Sequence, residues 1–451
     1  MDVFSIPVID KLIVYAPLHG FLALVNEAGA QDLQRGLVGN APSRLFSSQV
    51  LGSLRSPGAL PLPARGASAE PAFLGLIPTR GCNARCRYCD FQTLGLHGRS
   101  MSLSLAREAI QAYLLLKQKS GAQSAEIHFF GGEPFCAEDV VQVAVEFAST
   151  RAAQMGMQVH FEATTNGLYR AALAKWIADR FGAVVLSLDG PRDIQDAQRP
   201  ARGRPHAFDT VVESAGIFSH GPVDLILRAC ITSRTVNRMQ EIAQWFAEKF
   251  SPSSVCFEAL TPTEAASQAG LEPPDPWAFA EHFHRAAEVL GRFGIRAVHA
   301  TAAIDTARTS FCPLGKDALI VSPEGAISAC YLPEGSWKRR RLDLTLGRVQ
   351  GEAFNIPESR LAHIRNLNVE SRRLCADCFC RFHCAGGCYV NHDTTSEPGR
   401  FGPLCIQTRL LTTANLLERL EQHGLVEEWM ADREMMERTV WRTTDRLCET
   451  G

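Results

Sequence analysis

No apolar run in this chain of 451 residues reaches membrane-spanning length. The opening stretch MDVFSIPVIDKLIVYAPLHG lacks the basic flank and small-residue cleavage site of a secretory signal. Charge of one sign is missing too. With 46 basic against 48 acidic residues the net charge is -2, which excludes a global field that attracts nucleic acid and leaves only a local patch open. These absences lead to the expectation of a cytoplasmic protein with neither a membrane nor a nucleic-acid partner. Cysteine, by contrast, is plentiful. Fifteen of them in a long chain without a signal point to metal or redox chemistry in a reducing compartment, rather than to a disulfide framework. A composition of 46% hydrophobic and 21% charged residues is that of a soluble globular protein, and the length calls for two or three domains.

The cysteines begin in earnest at Gly81 to Phe91, GCNARCRYCDF, where Cys82, Cys86 and Cys89 are spaced C-x3-C-x2-C directly after the apolar run Phe73 to Pro78. Iron–sulfur clusters are normally held by four cysteines, so three thiolates on a tight loop suit a four-iron cluster with one iron left open. A zinc site accounts for the same residues. The spacing, with its aromatic Tyr88, resembles the radical SAM superfamily. In that family the amino and carboxylate groups of S-adenosylmethionine (SAM) chelate the open iron, and electron transfer from the cluster yields a 5'-deoxyadenosyl radical that abstracts hydrogen from substrate. The resemblance also implies an external electron donor such as flavodoxin or ferredoxin.

From Phe73 onward, short apolar runs alternate with helical patterns: FLGLIP, AEIHFF, QVHFEAT, AVVLSL, VDLILRACIT and SVCFEAL, with helices from about Ser102, Ala137, Ala171, Arg238 and Trp277. This is the pattern of an α/β fold, a partial parallel (βα)6 barrel, in which chemistry sits at the C-terminal ends of strands. Polar turns stand at those ends. Gly131-Gly132-Glu133-Pro134 follows the second strand, with glycines that let backbone approach a ligand and a carboxylate that can accept from an ammonium group. Thr164-Thr165-Asn166-Gly167 follows the third, and the fourth ends in Ser187-Leu188-Asp189-Gly190-Pro191. Each alone is also a common turn. The resemblance implies that Gly131, Gly132, Glu133 and Pro134 bind the SAM amino group, that Asn166 and Ser187 contact its ribose and methionine parts, and that Arg228 pairs with its carboxylate. Glu258, at the end of the sixth strand, is the candidate catalytic base, accepting the proton that a substrate radical loses; ordering the loop, or pairing with a neighbouring arginine, explains it as well.

Past Ala300 the cysteines concentrate again. Cys312 is followed by twelve residues, Gly325, four residues and Cys330; then come Cys375-x2-Cys378-x5-Cys384-x3-Cys388 and finally Cys405. Such an array by itself suits zinc as well as iron. The seven spacings together resemble the SPASM extension of radical SAM enzymes, which implies three [4Fe-4S] clusters in all, one that binds SAM and two auxiliary. By that resemblance Cys375, Cys378, Cys384 and Cys405 hold the outer auxiliary cluster, and Cys312, Cys330 and Cys388 the inner one. In several relatives a further cysteine lies six residues before the first of these; here that position is Thr306, so the inner cluster either has an open iron or borrows a ligand such as Cys380. Cys136, Cys230, Cys256 and Cys448 match no spacing and read as small buried hydrophobes.

The expected organisation is an N-terminal hairpin-helix element with linker over 1–70, a barrel over 71–300, a cysteine-rich extension over 301–410 and C-terminal helices over 411–451. The N-terminal element is KLIVYAP, a break at Leu18-His19-Gly20, FLALVN, and a helix that Asn26 begins. It resembles the winged-helix element that binds leader peptides in peptide-modifying enzymes, and it reads equally well as a cap on the next domain. Ser53 to Glu70, rich in Pro, Gly, Ala and Ser, is the linker. The functional expectation is a radical SAM enzyme that modifies a ribosomally made peptide or protein by crosslinking, oxidation or epimerisation. The alternatives are formylglycine formation as in anaerobic sulfatase maturases, dehydrogenation of a small alcohol or sugar, and a non-catalytic iron–sulfur or zinc scaffold. The stretch Ser187 to Arg199 resembles those maturases, but Gln195 stands where a histidine is usual, and Thr306 is not cysteine.

Overall fold

The computed structural model describes residues 2–39, 42–60, 69–93, 98–203, 207–312, 314, 317–392, 401–441 and 445–446. Its centre is a sheet of parallel strands: β4 (Leu74–Leu76), β5 (Ser124–Phe129), β6 (Gln158–Thr165), β7 (Ala183–Ser187), β8 (Asp224–Ile231) and β9 (Ser254–Ala259), hydrogen-bonded in chain order. β10 (Arg296–Val298) adds a short seventh parallel strand beside β9, beyond the six that the sequence pattern suggests. The sheet does not close. Its other end continues through β11 (Leu319–Val321), parallel to β4, into the antiparallel strands β12 (Ala326–Ser328), β13 (Thr345–Gln350) and β14 (Ala353–Asn355). The cysteine-rich region therefore shares the barrel's sheet instead of hanging from it. Arg80 adds a two-pronged ion pair to Glu324 (3.2 and 2.9 Å) that ties the first barrel loop to the β11–β12 turn.

Local chemistry explains where the helices start. Ser102 caps the helix Leu103–Lys119 by accepting from the Leu105 amide, and Asp275, followed by proline, accepts from Trp277 and Ala278 at the head of Pro276–Gly291. Between β7 and β8 the sequence reading names no helix, yet two are present, Arg192–Gln198 and Ala207–His220. The second was legible: Ala207, Val211, Ala215 and Phe218 recur at helical spacing and are buried. The C-terminal helices are Pro403–Arg419, His423–Ala431 and Arg433–Trp441. Asp432 accepts from the amides of Glu434 and Met435, ending His423–Ala431 and starting Arg433–Trp441. The boundary at 410 falls inside the helix Pro403–Arg419, whose first turn carries Cys405.

At the N-terminus β1 (Phe4–Val8), β2 (Lys11–Ala16) and β3 (Phe21–Val25) form an antiparallel sheet, with β15 (Asp445–Arg446) on the β1 edge. The expected hairpin is β2–β3, joined by an unforeseen first strand. Alternation splits its two faces. Phe4, Ile6, Val8, Ile13 and Tyr15 enter the main core, whereas Val14 and Ala16 pack with Leu33, Leu37, Leu51 and Leu54 of the helices Glu27–Gly39 and Ser48–Arg55. The element is thus no detachable preface, and the linker begins only after Arg55; its residues 61–68 lie outside the described residues, as does Cys448.

Candidate active site

The strand ends open into one cavity of about 1910 Å3, and the side chains of Cys82, Cys86 and Cys89 line it. Gly131, Gly132, Glu133, Asn166, Ser187, Arg228 and Glu258 line it too, as expected from their places in the sheet; Pro134 does not, being buried at the head of a short turn of helix. From the second cysteine region, Cys388 reaches the same cavity. The two regions most distant in sequence therefore face a common space.

The glycines also serve a purpose within the protein itself. A Cβ on Gly132 would stand 2.2 Å from the Gly81 carbonyl oxygen, and Gly131 has φ 141° with its Cβ position 2.7 Å from the Thr79 oxygen. Their bareness lets this loop lie against the backbone of the cysteine loop, where the Glu133 amide donates to Gly81 O at 2.9 Å. The Glu133 carboxylate turns inward: it accepts from Thr165 Oγ1 (2.7 Å), the Asn166 amide (2.7 Å) and the Phe135 amide (3.2 Å), clamping the end of β5 to that of β6. Burial pushes it up to about 7 against the pull of those three donors. Because the folded carboxyl keeps its proton above its ordinary value of 4.5, the stability it contributes is fully present below that value and lost as pH rises to about 7. The expected loss is up to about 3 kcal/mol. Urea unfolding between pH 5 and pH 7.5 should show this decline in the wild type, and Glu133→Gln, though weaker throughout, should flatten it; equal slopes would remove Glu133 from the pH dependence.

Asn166 reaches back with its amide to Asn83 Oδ1 (2.8 Å) and Cys82 Sγ (3.6 Å). Behind the loop lies a buried network that the sequence reading missed. Asp189, wholly inaccessible, accepts from Tyr88 Oη (2.7 Å), Gln198 Nε2 (2.8 Å), Arg199 Nε (3.1 Å) and the Cys230 amide (3.0 Å). Arg199 extends to Cys86 Sγ at 3.7 Å, and Gln195 accepts from the Asp189 amide at 2.8 Å. The signal lay in the SLDGP stretch and the polar residues up to Arg199, which local pattern alone left unpaired.

On the far wall Arg228 projects into the cavity; burial lowers its pKa, but the neighbouring Glu258 and two thiols outweigh that and raise it. The Cys256 thiol donates to Glu258 Oε1 at 3.3 Å. Cys256 and Cys230 both line the cavity and are part of its wall, in contrast to the plain packing expected of them. His299, at the end of β10, also lines it, with Nδ1 against Thr301 Oγ1 at 3.0 Å.

Cys375, Cys378, Cys384 and Cys405 line a second, smaller pocket together with His392 and Arg409. Cys380 belongs here too: its thiol is buried between Cys378 and Thr412 (3.5 Å), on the outer group's side, so it is no partner for Cys312, Cys330 and Cys388. Within that trio the charge of Cys388 bears on Cys312, and those of Cys312 and Cys388 on Cys330. Burial pushes the Cys86 and Cys312 thiols up to about 11, and Cys330, Cys375 and Cys384 to about 12. Cys378 differs; the Cys380 thiol, then Arg409, hold it down at about 6 despite burial. Thiols so buried become thiolates readily only for a cation, and metal binding would release their protons. Among the described residues no three His, Cys, Asp or Glu side chains converge closely enough for a single metal ion. Soft, grouped thiols of this kind suit zinc or an iron–sulfur cluster.

Residues 76–245 match the Radical SAM superfamily, and this stretch is a radical SAM domain. Among individual proteins, the chain is 24% identical over 200 residues to a cysteine-type anaerobic sulfatase-maturating enzyme of Clostridium perfringens, a match covering 43% of this chain and 54% of that protein. It is 25% identical over 201 residues to an uncharacterized protein of Methanothermobacter thermautotrophicus, covering 42% of this chain and 71% of that one. The chain spans about half the length of the curated sulfatase-maturating relatives it matches. Its fold is that of the solved structure "Native anSMEcpe with bound AdoMet", with a TM-score of 0.59 and 17% identity over 79% of this chain and 99% of that one. The same protein with bound AdoMet and Cp18Cys peptide superposes with a TM-score of 0.59 at 18% identity, again over 79% and 99% of the two chains.

Proposed function

We propose that this protein is a radical SAM maturase that modifies a residue of a peptide or protein substrate. The observation that carries this reading is the single cavity of about 1910 Å3 shared by the three-thiol loop, Glu258 and Cys388. Pockets for small ligands run to roughly 300–1,000 Å3, so this space has room for the cluster on the three-thiol loop, for SAM and for a length of peptide. The solved relative with both AdoMet and a peptide bound supports the same reading. When bound, the cluster and SAM supply a 5'-deoxyadenosyl radical that abstracts hydrogen from substrate.

The chain's own residues divide the remaining work. Cys82, Cys86 and Cys89 hold the SAM-binding cluster; Asn166, Ser187, Arg228 and the backbone of Gly131 and Gly132 orient SAM. Glu133, held by its three donors, shapes that loop. Cys375, Cys378, Cys384 and Cys405 hold an outer auxiliary cluster, and Cys312, Cys330 and Cys388 an inner one. Glu258 takes up the substrate proton at Oε2, the oxygen that Cys256 leaves unengaged. A flavodoxin or ferredoxin delivers the electron. Among the described residues no helix is long and apolar enough to cross a membrane.

Anaerobic incubation with SAM, a chemical reductant and short cysteine- or serine-bearing peptides tests the proposal: 5'-deoxyadenosine should accumulate and a peptide should change mass. A protein that binds zinc and forms no 5'-deoxyadenosine would be a scaffold. In the same assay Glu258→Gln is expected to retain SAM cleavage yet lose most product, on the order of 10²-fold as for a lost general base. An unchanged ratio of product to 5'-deoxyadenosine would leave Glu258 with only a structural role.

A further inference from the structure

Arg409 is among the largest fully buried side chains of the protein, 1% exposed, and its guanidinium ion-pairs with no carboxylate among the described residues. Its Nη1 donates instead to Cys378 Sγ at 3.1 Å, its Nε has no partner, and its guanidinium lies over the rings of Phe379 (4.6 Å) and Phe401 (4.4 Å). Guanidinium cannot shed its charge in a protein, so a dry arginine of this kind is stable only beside an anion. What stands beside it is the group formed by Cys375, Cys378, Cys384 and Cys405. Arg372, likewise buried and lying over the Tyr389 ring, bears on Cys312 as well as on Cys375 and Cys384, but Arg409 is the arginine whose N–H meets an outer-group sulfur. At the three-thiol loop Arg199, which reaches Cys86 Sγ at 3.7 Å, is already neutralised by Asp189 at 3.1 Å.

We infer that Arg409 raises the reduction potential of the cluster held by Cys375, Cys378, Cys384 and Cys405. The inference rests on the iron–sulfur reading of that cysteine group. Reduction adds a negative charge to a cluster whose burial already disfavours charge, so burial alone pushes the potential down. A fixed cation and a charge-assisted N–H···S bond to one ligand act the other way, because both favour the more negative reduced state. Arg409 touches no substrate and is a positioning residue for charge.

Redox titration of the reconstituted full chain, followed by electron paramagnetic resonance, tests the inference. Arg409→Gln should keep its iron content and lower the midpoint of one cluster, so that the ratio of reduced to oxidised cluster at a fixed potential falls at least tenfold, equivalent to about 59 mV for a one-electron couple. Arg409→Lys, which keeps the charge, should recover much of that shift. An unchanged midpoint in an iron-replete Arg409→Gln protein overturns the inference. Should Arg409→Gln lose iron, Arg409→Lys is titrated in its place: with the cation displaced from Cys378 Sγ, the midpoint of the signal that vanishes in Cys375→Ala/Cys384→Ala should fall by a smaller amount, and an unchanged midpoint there overturns the assignment. A wild type that takes up only one cluster's worth of iron instead refutes the auxiliary-cluster reading itself, and is told apart by iron analysis before any titration.

Discussion

The triple variant Cys82→Ala, Cys86→Ala, Cys89→Ala is expected to form no 5'-deoxyadenosine while retaining most of its remaining iron. Three clusters of four irons would give about twelve irons per chain in the wild type, and the variant should settle near eight. The separation follows from the geometry. Cys375, Cys378, Cys384 and Cys405 line a pocket of their own, into which no residue of the first loop projects. Cys388 does share the main cavity with that loop, so its group is the one on which a side effect of the variant would fall. SAM cleavage undiminished in the variant would overturn the assignment of the loop. Iron falling to zero would show instead that the groups load as one unit, through the sheet and the Arg80–Glu324 pair that join their regions.

The second large effect concerns Asp189, which no solvent reaches and which satisfies four donors at once. Asp189→Ala takes the acceptor from the Tyr88 hydroxyl and the Cys230 amide and the counter-charge from Arg199, which keeps only Tyr88 Oη and Cys86 Sγ, while Gln198 Nε2 keeps the Cys230 carbonyl. Removing one partner of a buried pair typically costs about 3–5 kcal/mol, chiefly because the other charge stays behind. Urea unfolding at pH 7 should report a loss of that order. Iron occupancy of the first loop should also fall, since Arg199 is the link between this network and Cys86. Removing both charges separates the two consequences: Asp189→Asn/Arg199→Met should regain part of the stability, as buried pairs replaced together commonly do, without restoring SAM cleavage. A destabilisation under about 1 kcal/mol for Asp189→Ala, within the range of an ordinary surface change, would show that water enters and replaces the carboxylate.

The period-2 and period-3.6 patterns from Phe73 onward determined the strand and helix alternation, because each element's core face repeats locally. Ser102 and Asp275 likewise marked their helix starts through contacts within three residues. The spacing of Cys82, Cys86 and Cys89 pointed to a cluster for the same reason: one short loop carries all three ligands. Tertiary structure alone decided what depends on neighbours far along the chain. It joined β11 to β4, and it turned Glu133 toward residues thirty-two and thirty-three positions onward. It assigned Cys380 to the outer group and brought Arg199 within reach of Cys86, 113 residues earlier. Above all it showed Arg409 buried against Cys378 with no carboxylate among the described residues to balance it. Local pattern reports which face of an element is apolar; whether a buried charge is compensated is set by every element packed around it, and no window of sequence contains them all.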